Sequence, residues 1–195
     1  LPILGQPAEQ QNPTEARIAH LNLPAKGWSE AARKDALARL RGMGLPERRD
    51  EYWKYTRPDI LVQPAPVPAA AMANDQTPLF DAMDRLRIVF VDGVFDADAS
   101  DDLSLEGVTI DRLAQADRDL HWARDLYGTL ENKGQTPVAR PLAALNTAFA
   151  TDGTLIHVTG KASKPISLIY HHVSETSDAI LHHCIKLDAG AELTV

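Results

Sequence analysis

From Thr154 to Val195 the sequence is a succession of short apolar segments joined by polar links too short to carry a helix. The segments fall near 154–159, 166–173, 180–187 and 192–195, with links such as "GKASKP" and "SETSD" between them. Parallel neighbours within one sheet need a long crossover, usually a helix, so links of this length leave two arrangements. One is an antiparallel meander; the other is a solenoid whose strands stack coil upon coil. Periodicity alone does not separate them. The last segment, "GAELTV", is strand sequence up to Val195 with no polar tail, and a stack ending this way presents unpaired backbone groups at an open edge. Self-association through that edge is expected.

Upstream, the pattern changes twice. "VQPAPVPAAAMANDQTP" is rich in proline and alanine and poor in large apolar groups, so 62–83 reads as an extended linker. Before it, 1–61 reads as a helical domain. "PTEARIAHL" starts a short helix at Pro13 and Thr14, and "WSEAARKDALARLRGMG" a longer one capped by Ser29 and ended by Gly42 or Gly44. In the longer helix Leu37, Leu40 and the alanines form the apolar face, opposite Arg33, Lys34 and Arg41. After the linker the period becomes two: "RLRIVFVDGVF" places Leu86, Ile88 and Phe90 on one face and a hairpin turn at Asp92-Gly93. Residues 84–195 therefore read as a mainly β core with inserted helices near 116–130 and 140–149, and the whole chain as α+β.

Composition narrows the function. Twenty-seven Asp and Glu against twenty Lys and Arg give a net charge of −7, which disfavours nucleic acid or an anionic membrane as the partner. Cys184 is the single cysteine, so no internal disulfide forms, and with no long apolar run the expected setting is the cytoplasm. The pairs His171-His172 and His182-His183, followed by Cys184, supply metal-type ligands. Alternation along a strand lets His182 and Cys184 share a face, with His171 above or below and His183 turned to the core, so His171, His182 and Cys184 are the candidate ligand set of a small metal-binding module. "VTGKAS" misses the phosphate-loop pattern at Leu155 and Ala162. No nucleophile motif appears, so no catalytic residue is nominated. "GLPERRDEYWKYTRPD" reads as a packing element in which Trp53 and a neighbouring tyrosine are buried at the linker, each ring contributing on the order of 2–3 kcal/mol.

These motifs in order resemble the SufD family, the N-terminal half of a subunit that partners SufB and the ATPase SufC in bacterial iron–sulfur cluster assembly. Gly44, Leu45, Pro46, Arg49, Glu51, Trp53, Lys54, Tyr55 and Thr56 fit its Gly-Leu-Pro and Arg-x-Glu-x-Trp-Lys-Tyr-Thr signature. "IVFVDGVF", "LAALNTAFATDGTLIHV", "PISLIY" and "GAELTV" fit its first hairpin, its entry into the β core and its early coils. The resemblance implies a helical domain leading into a right-handed parallel β-helix, with SufB and SufC homologues as partners of the full-length protein. It implies a scaffold without turnover of its own: no enzyme, no cofactor held by this stretch, and an iron–sulfur cluster handled transiently by the full complex. Arg49, Glu51, Trp53, Lys54 and Tyr55 are then a structural motif. A carbohydrate-active β-helix enzyme is the rival, and it lacks the paired carboxylates such chemistry needs on one face.

Overall fold

The computed structural model describes residues 12–195 except 25, 48, 72–76, 78 and 116–120. The first residues of the helical domain, part of the 62–83 stretch and the start of the helix expected near 116–130 therefore lie outside the described residues.

Helix α1 (Pro13–Ile18) begins where expected, with proline in its first turn and the Asn12 side chain accepting from the Thr14 amide at 2.9 Å. Helix α2 (Glu30–Met43) ends at Gly44, whose φ of 72° lies in the region glycine tolerates and whose N–H reaches Leu40 O at 2.8 Å. Gly42 stays inside the helix. Three residues depart from the expected amphipathic pattern: Ala31 and Ala38 are exposed, and Arg33 is buried, not on the solvent face. The reason lies in helix α5 (Pro141–Phe149), which packs against α2 and leaves C-terminal carbonyls without intrahelical partners. Arg33 Nη1 donates to Ala148 O at 3.1 Å and Ala150 O at 2.8 Å, while its Nε donates to Ser29 Oγ at 2.9 Å. Ser29 consequently serves Arg33 and makes no side-chain cap of α2.

Among the described residues, two short helices, α3 (His121–Leu126) and α4 (Thr129–Lys133), precede α5, and six strands build two sheets. Strand β1 (Leu86–Val91) pairs antiparallel with β2 (Val94–Asp96) across a turn in which Asp92 and Gly93 have φ of 49° and 80°. On its other side β1 pairs parallel with β5 (Ile166–His171), from Leu86↔Ile166 to Val91↔His171. In the second sheet β4 (Thr154–Val158) lies between antiparallel β3 (Val108–Arg112) and parallel β6 (Cys184–Leu187). Successive strands β4, β5 and β6 thus alternate between sheets. A meander is excluded for them, because β5 pairs with neither β4 nor β6. The segment 180–194 retraces 151–166 one level up, through Asp152↔Leu181, Leu155↔Cys184 and Lys161↔Glu192, with Ile166 N donating to Thr194 O at 2.9 Å. Among the described residues the architecture is mixed α/β, with two small mixed sheets and no closed barrel.

Three expected strand boundaries shift, each for a local reason. Strand β5 stops at His171 because the next amides, of Val173 and Ser174, donate to the Asp92 carboxylate at 3.1 and 3.2 Å. Residues 180–183 stay out of β6 because the Thr154 amide donates to the His183 ring at 2.9 Å rather than to a strand carbonyl. Residues 192–195 form a bridge at Glu192, not a strand.

Burial follows the topology. One cluster fills the space between the helices and the second sheet, with Leu40, Ala144, Ala148, Phe149, Leu155 and Cys184 among its buried members. The other fills the space between the sheets, with Leu86, Ile88, Phe90, Ile156, Val158 and Ile166. Strand β4 is the shared wall, sending Leu155 to the first cluster and its neighbours Ile156 and Val158 to the second.

Candidate functional site

The His182-His183-Cys184 stretch enters β6 between the two clusters, and alternation splits its side chains. His182 faces the helices. Its Nδ1 lies 2.9 Å from Asn146 Oδ1, and Asn146 Nδ2 donates to Leu181 O at 2.7 Å, so the amide oxygen faces the ring and His182 carries its proton on Nδ1. The ring packs on Tyr127 with centroids 4.4 Å apart, and Arg33 lies over the other partner of this stack at 5.2 Å from the Tyr127 centroid. Tyr127 donates its hydroxyl to Thr147 O at 2.6 Å. Burial, helped by the nearby charges of His183 and Arg33, pushes the His182 pKa down to about 4. The imidazole is neutral at pH 7.

His183 takes the opposite tautomer. Its Nδ1 accepts the Thr154 amide, leaving Nε2 to donate to the Tyr170 hydroxyl at 2.9 Å on the inter-sheet side, where Tyr170 stacks on Phe90. Burial lowers its pKa too, against a smaller opposing pull from Asp152. Cys184 returns to the helical side, and burial pushes its thiol up to about 11, so it is protonated near neutrality.

His171 belongs elsewhere. Leu168 and Tyr170 of β5 face the inter-sheet cluster, so His171 projects from the outer face of the first sheet, whereas His182 and Cys184 lie on the helical face of the second. The expected trio does not share a site. Among the described residues no group of three His, Cys, Asp or Glu side chains is placed to hold a metal ion.

The strongest polar centre beside this stretch was invisible in the sequence. Asp152 is buried, accepts from the amides of Ala114 at 3.1 Å and Gly153 at 2.8 Å, and pairs with Arg112, which also lies over the Phe95 ring at 4.2 Å. The glycine that follows Asp152 has no room for a side chain. A Cβ on Gly153 would stand 1.9 Å from His182 O. The backbone at 153 therefore passes in close contact with that at 182.

The aromatic stretch is arranged differently from expectation. Asp50 Oδ1 accepts the Tyr52 amide at 3.0 Å and starts a single 3₁₀ turn, Glu51–Trp53. Trp53 is half-buried with its indole N–H unpartnered, edge-on to Tyr52 at 6.2 Å. The neighbouring tyrosines are not packed: Tyr52 is 55% and Tyr55 91% exposed, and Lys54 lies over the Tyr55 ring at 5.3 Å. Short turns this polar have no apolar face to bury two rings at once. Arg49 and Asp50, with Thr14, Leu45 and Glu47, line an open cleft of about 930 Å³ between this turn and α1, and Glu51 is exposed.

The Thr154 hydroxyl also lies 2.9 Å from His183 Nδ1. The arrangement fastens β6 to α5 through His182 and to β5 through His183, so its chemistry is that of a clamp. Among the described residues no helix is long and apolar enough to cross a membrane. No curated protein matches the sequence. A family model described as the SufBD protein N-terminal region matches residues 17–168, more than half of the chain, and the protein belongs to that family, which serves iron–sulfur cluster assembly.

Proposed function

We propose that the protein is a SufD-type scaffold subunit of a cytoplasmic iron–sulfur assembly complex, working with SufB and SufC homologues and catalysing no reaction itself. The family match over 17–168 carries this reading. The match covers SufB and SufD alike; "DEYWKYT" at 50–56 favours SufD. In favour of a non-catalytic role without a resident cofactor, Cys184 is a protonated thiol and both imidazoles of the 182–183 pair are engaged. The same reading makes the two sheets the opening turn of a right-handed parallel β-helix. Its support is the landing of β5 on β1 and of β6 on β4, the second strand of each pair lying one level above the first.

Tyr170, Ile185 and Leu187 are exposed on β5 and β6 and offer a surface for self-association or for a sister subunit. Co-purification of the full-length subunit with SufB and SufC homologues at fixed ratio is the expected result. Recovery of the subunit alone, under conditions where SufB and SufC homologues still recover each other, would sink the SufD assignment. For self-association, sedimentation should give a mass that rises with concentration.

A further inference from the structure

The proline-rich segment is tied to both halves of the molecule by one buried guanidinium. Arg17 of α1 has a side chain only 8% exposed, and it meets Asp178, in the loop between β5 and β6, through two contacts: Nη2 to Oδ1 at 2.8 Å and Nη1 to Oδ2 at 2.6 Å. The same Nη1 reaches Pro64 O at 3.3 Å. Five residues on, the Ala69 amide donates to Glu175 O at 2.8 Å in that same loop. Among the described residues these two hydrogen bonds are what joins 64–69 to the rest of the chain. Three of those six residues are prolines, which have no amide to donate, and none of the six belongs to either apolar cluster. Beside them lies a groove of about 350 Å³ lined by Arg17, Ile60, Leu61, Val67, Ser177 and Asp178.

We propose that Arg17 and Asp178 form a latch that holds residues 64–69 as a strap across the β5–β6 loop, and that the strap opens as a unit while both apolar clusters stay closed. The physical reason is a shared anchor. The bidentate pairing with Asp178 aims the guanidinium, and the aimed guanidinium is what reaches Pro64 O, so losing the ion pair frees Pro64 O and leaves the strap held by the Ala69–Glu175 hydrogen bond alone. Nothing apolar resists the opening, because the strap buries no cluster residue. Segments with few buried apolar contacts are the ones that open locally at low free energy. Opening widens the groove beside Ile60, Leu61 and Val67, which are exposed in the closed form.

Amide hydrogen exchange on the whole chain tests this. In Asp178→Asn, exchange at the Ala69 amide should quicken tenfold or more while amides of β1 and β4 keep their parent rates. Arg17→Lys keeps the charge but loses the two-pronged fork, and it should quicken Ala69 in the same selective way. Unchanged Ala69 exchange in either variant overturns the latch. So does an acceleration shared equally by β1 and β4, since that would mean the ion pair supports the whole fold. Should one variant fail to fold, the other decides.

Discussion

The two apolar clusters share strand β4 and are built on different principles. Between the sheets, Leu86, Ile88, Phe90, Ile156, Val158 and Ile166 form an aliphatic and aromatic filling, because the ladders on both sides already satisfy the backbone. Between helices and sheet, the filling is threaded by Arg33, Tyr127, Asn146 and His182, because a helix end brings unsatisfied carbonyls into the interior and something must donate to them. The lesson is that the layer containing a helix terminus needs a polar network to close, and that network specifies register in a way interchangeable aliphatic side chains do not. Arg33 shows the cost. Burial pushes its pKa down from the usual arginine value, and the α5 carbonyls with the negative end of the helix dipole offset that penalty.

Substitutions on each side of β4 would sharpen or break this contrast. The largest effect is expected at Gly153, where the levels cross: Gly153→Ala sets a methyl against His182 O and should destabilise by at least about 4 kcal/mol, seen as loss of the cooperative melt. A melt within a few degrees of the parent would show that the crossing can relax. Phe90→Ala, in the inter-sheet cluster, should cost about 3–5 kcal/mol in denaturant unfolding. Arg33→Met keeps much of the volume and strands two buried carbonyls, so about 2–3 kcal/mol is expected. If this variant equals the parent in stability, the network is dispensable and the contrast collapses.

Acid should expose the difference next. The folded-state pKa of His182 is lowered to about 4, so below the ordinary value near 6.5 the unfolded chain takes up a proton that the folded chain refuses. The stability is full above that ordinary value and falls as pH drops from about 6.5 towards 4, by about 2–3 kcal/mol from this residue. His182→Gln should flatten the slope between pH 7 and 5; an unchanged slope would assign it elsewhere. The smallest effect is expected away from both clusters. Trp53→Ala, removing a half-buried ring, should cost about 1 kcal/mol, and a superimposable melt would deny the aromatic turn any packing role.

Local features of the fold were legible where a short-range rule governs them. Pro13 opens α1, Gly44 closes α2, and Asp92-Gly93 turns the hairpin, each through backbone preferences of the residue itself. The helix α2 stripe was legible at Leu37 and Leu40 but not at Ala31 and Ala38, which are exposed, nor at Arg33, since a charged residue reads as solvent-facing unless its distant partner is known. The candidate ligands failed for a related reason. Alternation placed His182 and Cys184 on one side of their strand, but not which sheet carries His171. The clamp built on Asn146, Thr154 and Asp152 left no sequence signal, because each residue is ordinary in a helix or turn.

By itself, the sequence determined that short strands follow helices, that their links forbid helical crossovers within 154–195, and that a motif series shared with a known family runs along the chain. Those are consequences of periodicity, turn chemistry and spacing, which act over a few residues. Only the tertiary structure decided that β5 lands on β1 and β6 on β4, that Arg33 is buried, and that His182 and His183 are half-buried between the layers. Strand partners and buried donors are chosen by groups far apart in the chain, such as Arg33 and Ala150 O, whose need for one another exists only once the layers meet.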